Sequence, residues 1–194
     1  MKQRIVIFGG TFDPVHLGHL QIAMDVLKKA NLDLIYFLPA GKPPLKEKPP
    51  IANAIDRFKM LQLAIRGYKQ FDILDWEILK NTPAFSVETA EILQKNWPSM
   101  RFYWIIGSDL VKSLSSWKNV SKLAEIVQFI VVTRPGYKIE MPNIANLKIQ
   151  TVENRAVDIS STEIRARIKR GETFEHLVPE PVYNYIKVNQ IYHE

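Results

Sequence analysis

A short, wholly apolar run, Ile5-Val6-Ile7-Phe8, stops at Gly9-Gly10 and is followed by an apolar pattern of a different period. The run is continuous, rich in β-branched residues and too short for a helix, so it reads as a strand buried on both faces. Leu20, Ala23, Met24 and Leu27 then recur at three-and-four spacing, which predicts a helix from about Leu17 to Ala30. Leu34 to Leu38 repeats the strand pattern. Strand, helix, strand is the unit of a parallel sheet, and it restricts the chain to α/β folds.

The alternation continues. Helical periods are read over Asn53–Tyr68, Ser86–Asn96 with Ser86 as its cap, one or two short helices in Val111–Ala124, Ser161–Arg170 closed by Gly171, and Val182–Val188. Strand runs are read at Phe71–Leu74, Phe102–Ile106, Phe129–Thr133 and Leu147–Val152. The expected fold is α/β, Rossmann-like and doubly wound, with a mostly parallel sheet and helices on both faces. A chain of 194 residues suits one domain, 1–194, with the part from about 155 to 194 as a helical subregion. Two long loops, Ala40–Pro50 with its four prolines and three lysines and Arg134–Asn146, are where a compact domain places binding or gating segments, with an ordinary surface loop the equal alternative for the second.

Composition excludes several classes. There is no cysteine, so disulfides, thiolate metal sites and a redox thiol are ruled out. The formal charge of +6 favours anionic partners, yet no polybasic run and no interleaved aromatic and basic platform marks a nucleic-acid arm. No apolar stretch approaches a membrane span, and the apolar run after Met1-Lys2-Gln3-Arg4 is too short for a signal peptide. We therefore expect a cytoplasmic location, small anionic ligands, and neither a nucleic-acid nor a membrane partner; a homo-oligomer is compatible with the sequence.

Residues 9–20 read Gly-Gly-Thr-Phe-Asp-Pro-Val-His-Leu-Gly-His-Leu, between a strand and a helix, the place where open α/β sheets bind ligands. Glycines admit a phosphate close to the backbone, and a helix start offers free N–H groups and the positive end of the dipole. His16 and His19, three apart, share one helical face. A tight turn with capping histidines is the bland alternative. Zinc is another, but it takes three or four ligands, and the remaining histidines, His176 and His193, are distant in sequence. The third reading is imidazoles donating to phosphoryl oxygens. A second cluster, Ile159-Ser160-Ser161-Thr162-Glu163-Ile164-Arg165, opens a helix. Its hydroxyls suit helix capping, and with Arg165 one turn along they also suit a triphosphate cradle.

Both clusters resemble the signatures of the nucleotidyltransferase superfamily in its nicotinate-nucleotide adenylyltransferase branch. His16-Leu17-Gly18-His19 meets the family's His-x-Gly-His element, and Ile159 to Arg165 is similar to Ile-Ser-x-Thr-x-x-Arg. The resemblance implies that Gly9, Gly10, Thr11, Phe12, His16, Gly18, His19, Gly107, Asp109, Ser160, Ser161, Thr162 and Arg165 bind ATP, with His16, His19 and Arg165 acting at the reacting phosphate. Further matches run between the signatures. Pro43-Pro44-Leu45-Lys46 resembles Pro-Pro-His-Lys/Arg with leucine replacing histidine. Phe85-Ser86-Val87-Glu88-Thr89 resembles Tyr-Thr-x-x-Thr, Gly107-Ser108-Asp109 with Trp117 resembles Gly-x-Asp…Trp, and Arg134-Pro135-Gly136 resembles Arg-Pro-Gly. They imply a mononucleotide site formed by Thr11, Lys46, Phe85, Ser86, Asp109, Trp117 and Arg134, in which Trp117 stacks on a pyridine.

The implied reaction moves AMP from ATP to nicotinate mononucleotide, giving deamido-NAD and pyrophosphate. Mg2+ travels on the substrate phosphates, without a protein metal site. The nucleophile is an already ionised phosphate, so positioning and charge stabilisation are the enzyme's task. Nicotinamide mononucleotide or pantetheine phosphate as acceptor, and a non-catalytic nucleotide-sensing or RNA-binding module, are the rival readings. Asp13 is read either as a turn cap or as orienting the loop or a metal-bound water.

Overall fold

The computed structural model describes residues 3–41, 49–80, 82–133, 136, 138–154 and 159–193. Its strands are β1 (Arg4–Gly10), β2 (Leu34–Pro39), β3 (Phe71–Ile73), β4 (Arg101–Gly107), β5 (Val127–Thr133) and β6 (Ile149–Glu153). The helices are α1 (Leu17–Lys29), α2 (Ala54–Ile65), α3 (Ser86–Asn96), α4 (Val120–Ile126), α5 (Ser161–Lys169) and α6 (Glu180–Val188). All neighbouring strands pair in parallel, in the order β3-β2-β1-β4-β5-β6. The chain therefore winds outward from β1 in one direction, returns, and winds outward in the other. That reversal opens a crevice at the carboxyl ends of β1 and β4, where Gly10 and Gly107 end their strands.

Alternate residues of each strand feed two apolar layers. Val6, Phe37, Tyr103, Ile105 and Ile130 pack with residues of α1, α2, α5 and α6 on one face. Ile5, Ile7, Phe102, Trp104, Phe129 and Val131 pack with α3 and α4 on the other. Ile164, Ile168, Val182 and Ile186, from the carboxyl-terminal helices, belong to the first of these clusters. Tyr185 ties α6 to α2 by donating to Asp56 Oδ1 at 2.8 Å.

Local chemistry explains most element ends. Asn53 caps α2 by accepting from the Asp56 N–H at 2.8 Å. α2 stops at Ile65, short of the expected Tyr68, because Arg66 turns extended and Gly67 takes φ 94°. Gly171 follows α5 at φ 69°, as its sequence position indicates. Ser86 is not a cap: it is the first residue of α3, and Phe85 holds the extended cap position without a side-chain hydrogen bond. The segment between β4 and β5 folds as two single 3-10 turns, Ser108–Leu110 and Leu114–Ser116, before α4. Gly9 and Gly10 lie inside β1 rather than after it, paired with Leu38 and Pro39.

One charged residue holds the carboxyl edge of the sheet together. Arg57, 1% exposed, donates from Nη1 to the carbonyls of Thr11 (2.8 Å) and Ala40 (2.7 Å) and from Nη2 to that of Gly41 (3.4 Å). It fastens α2 to the turn after β1 and to the exit of β2. Replacing it leaves buried carbonyls without donors, a cost of about 2–4 kcal/mol. Urea unfolding of Arg57→Met is expected to show a loss of that size, and a loss below about 0.5 kcal/mol would show that the guanidinium is dispensable.

Candidate active site

The turn leaving β1 is shaped by its own side chains. Phe12 takes the left-handed conformation at φ 49° and is buried edge-on against Phe8 (5.6 Å between centroids) and His19 (5.0 Å). Its ring lies over Gly10, where a Cβ would sit 2.9 Å from Cζ. Gly10 is therefore required by the phenylalanine that follows it. The Asp13–Pro14 peptide bond is cis. Asp13 is buried; its Oδ2 accepts from the Ile51 N–H (2.8 Å), and its Oδ1 from the Ala52 N–H (3.0 Å) and the Tyr192 hydroxyl (2.8 Å). With these acceptor sites taken, Asp13 organises the turn.

His16 is not on the helix proper. It occupies the extended cap of α1, and His19 is the third helical residue. The two rings nevertheless stack, 3.6 Å between centroids at 27°. The His16 backbone N–H donates to His19 Nδ1 at 3.2 Å, so that nitrogen is an acceptor and the ring proton belongs on Nε2. Gly18 makes room for the pair, since a Cβ there would lie 3.0 Å from His16 Nδ1. Burial holds the His16 pKa down to about 4, leaving a neutral imidazole. Its Nδ1 is buried and has no hydrogen-bond partner among the described residues.

The second cluster folds onto the first. Ser160 caps α5 by accepting from the Glu163 N–H at 3.1 Å, so the capping reading holds for this hydroxyl. Ser161 Oγ donates to the Pro14 carbonyl at 2.9 Å, and Arg165 Nη1 donates to the Asp13 carbonyl at 2.6 Å. Arg165 Nη2 reaches the exposed Thr162 hydroxyl at 3.4 Å. Hydroxyls and guanidinium from residues 160–165 thus adjoin the turn that carries the histidines, across nearly the whole length of the chain.

Beside this junction is a cavity of about 580 Å3 walled by Gly9 and Gly10 of β1, Phe85 and Ser86 at the start of α3, and Trp104 and Trp117. Trp117 serves two purposes: its ring meets Phe129 edge-on at 6.5 Å, and it forms cavity wall. Its Nε1 is buried and unpartnered among the described residues. Asp109 is exposed on the turn beyond Gly107. Lys46 and Arg134 lie outside the described residues. Among the described residues no group of three or more His, Cys, Asp or Glu side chains is placed to hold a metal ion.

Four contributors escaped the sequence reading. Arg57 carried a signal, a charge on the same helical stripe as Leu61 and Ala64. Tyr192 carried none, because only the fold brings it beside Asp13. Glu77 lines the cavity, buried, accepting the Thr89 hydroxyl at 2.5 Å, and burial raises its pKa. Lys118, next to Trp117, lines the same cavity.

The chain is similar to known proteins over nearly all of its length. The Cytidylyltransferase-like family profile matches residues 7–167. A probable nicotinate-nucleotide adenylyltransferase of Methylacidiphilum infernorum is 42% identical, covering 97% of this chain and 92% of the relative. One from Bacillus licheniformis is 40% identical, covering 98% of each. Among solved structures, the Plasmodium falciparum nicotinic acid mononucleotide adenylyltransferase complexed with NaAD superposes with a TM-score of 0.76 at 20% identity, covering 98% of this chain and 97% of that one. On those matches, and with both signature clusters meeting at one crevice, this chain belongs to the nicotinate-nucleotide adenylyltransferase family within the Cytidylyltransferase-like group.

Proposed function

We propose that this protein transfers the adenylyl group of ATP to the phosphate of nicotinate mononucleotide, forming nicotinate adenine dinucleotide and pyrophosphate in the synthesis of NAD. The observation that carries the reading is the convergence of the two clusters, fixed by Arg165 on the Asp13 carbonyl at 2.6 Å and Ser161 on the Pro14 carbonyl at 2.9 Å. A triphosphate lying there meets imidazole, hydroxyl and guanidinium donors together. The pyridine nucleotide takes the adjoining cavity, with its ring against Trp117 and its acidic group toward Phe85 and Ser86 at the start of α3. Gly9, Gly10, Thr11, Gly107 and Asp109 are assigned to the nucleotide-facing surface, and buried Phe12 and Gly18 shape the turn behind it. Lys46 and Arg134 are assigned to the mononucleotide phosphate by their sequence motifs.

In the reaction a mononucleotide phosphate oxygen forms a bond to the α-phosphorus, and the bond to the bridging oxygen breaks, with pyrophosphate leaving with its electron pair. No proton has to be removed from the nucleophile. His19, with its proton on Nε2, donates to oxygen where negative charge accumulates. Neutral His16 does the same without placing a costly buried cation in the empty site. Arg165 has five N–H groups and can hold the turn while still contacting phosphate. A Mg2+ ion held mainly by substrate phosphates would keep several waters, and the carboxylate of Asp13 is already taken up by three donors. Mg2+ bound to the triphosphate would lower its charge.

The direct test supplies ATP and Mg2+ with either nicotinate or nicotinamide mononucleotide and follows pyrophosphate and dinucleotide. Preference for the acid form is expected, while equal use or preference for the amide would sink the acceptor assignment. His19→Ala is expected to reduce kcat by about 100- to 1000-fold with unchanged circular dichroism; unchanged turnover would remove the role given to it.

A second expectation concerns pH. An unfolded histidine titrates near 6.5 and folded His16 near 4, so between those values the unfolded chain binds a proton that the folded chain does not. Stability from neutral His16 is fully present above about pH 6.5 and is lost as pH falls toward 4. It amounts to about 3 kcal/mol at 1.36 kcal/mol per pH unit. Thermal unfolding from pH 7 to 4.5 should fall less steeply in His16→Asn than in the wild type, and equal slopes would show that His16 is not held neutral.

A further inference from the structure

Only two charged residues, Glu77 and Lys118, appear among the described residues that line the cavity. Glu77 is turned to internal use: it accepts the Thr89 hydroxyl at 2.5 Å, and its burial favours the uncharged form. Lys118 is different. Its Nζ lies 2.8 Å from Glu88 Oε1 and 4.1 Å from the centre of the Phe85 ring, and its side chain is 46% exposed. The ammonium is therefore poised at the cavity rim. It sits beside Phe85, the residue at the extended cap position just before α3, and follows directly on Trp117. Glu88 is the third residue of α3, so the ion pair also spans from the tryptophan wall to the helix wall.

We propose that the Lys118 side chain is a specificity-determining residue, whose ammonium attracts the ring carboxylate of an acidic pyridine mononucleotide and so favours acid over amide. The inference deepens the function proposed above and rests on the pyridine occupying this cavity. The physical argument is one of charge. An anion entering between Trp117 and the start of α3 meets Lys118 as the cation among the described lining residues, while an amide gains little from it. Glu88 competes for the same ammonium, so the carboxylate of α3 moderates the preference. The face of Phe85 supplies a second hold that keeps the ammonium at the rim when Glu88 is outbid.

The test compares the acid-to-amide ratio of kcat/KM in wild type, Lys118→Met, Lys118→Arg and Glu88→Gln. Binding of each mononucleotide is read independently from quenching of tryptophan emission, since Trp104 and Trp117 both face the cavity. Lys118→Met should lower the ratio about tenfold through the KM for the acid, the scale of a charge-assisted hydrogen bond in a partly wet site. Lys118→Arg should retain most of it. Glu88→Gln, by releasing the ammonium, should raise the ratio, and added salt should lower the wild-type ratio toward that of Lys118→Met. Parallel loss for both mononucleotides in Lys118→Met, or a fall in the ratio in Glu88→Gln, would reduce Lys118 to a strut and overturn the proposal. A wild type that prefers the acid while Lys118→Met keeps the same ratio defeats this inference alone. A wild type that uses neither mononucleotide defeats the function proposed above as well.

Discussion

The architecture of the crevice depends on one buried junction at Asp13. Its carboxylate receives two backbone N–H groups from residues 51 and 52 and the hydroxyl of Tyr192, while its carbonyl receives Arg165. A carboxylate in that position is destabilising unless its lone pairs are taken up. Here they are, by donors from two separate stretches of chain, while a third stretch, through Arg165, holds the backbone carbonyl. The junction therefore sets how far the front turn, the segment before α2, helix α5 and the chain end lie from one another. Its contribution to chemistry is indirect. It holds the backbone on which the histidines and Arg165 stand, and the acidity of Tyr192 is suppressed by burial and by the neighbouring carboxylate.

A second constraint is the polarity of the site before substrate arrives. Bringing two phosphates together calls for positive potential, yet the histidine most deeply placed is neutral. Burial excludes a permanent imidazolium, so the pocket presents oriented N–H groups in place of stored charge. Permanent positive charge comes from side chains nearer to water, Arg165 and Lys118. On the proposed function, this division would suit release of a multiply charged product, with donors fixed by stacking and helix capping acting at short range and the cations at the margin guiding the ligand. The sheet provides the stage, because the reversal in strand order separates the ends of β1 and β4 and leaves the turn after each free to face the ligand.

Much of this was readable from residue order alone. The buried strand, glycine pair and amphipathic helix at the front imposed a parallel α/β unit, and periodicity placed nearly every later element within a few residues. The exceptions are local. Ser86 has the chemistry of a cap, but Phe85 is the residue left extended, and the helix of residues 54–65 ends early because Gly67 adopts a positive φ. His16 and His19 were expected to meet, although the reason differs: a capping residue folds its ring back over the third helical position. Gly10 and Gly18 were legible as glycines needed near a ligand, whereas in the fold side chains, Phe12 and His16, fill the space a Cβ would take.

What residue order by itself determined was the inventory: period-two and helical patterns that dictate layers, and two compact clusters whose residue types suit phosphate. Those properties are local, arising from propensities and spacings within a few turns of chain. What the tertiary structure alone decided was adjacency over long separations. Arg57 on the Thr11, Ala40 and Gly41 carbonyls, Tyr192 on Asp13, and Lys118 between Glu88 and Phe85 are each contacts between segments far apart in sequence. No propensity encodes such a meeting. It follows from the order in which the strands pack and from burial, which compels each polar group taken from water to find a partner in another segment.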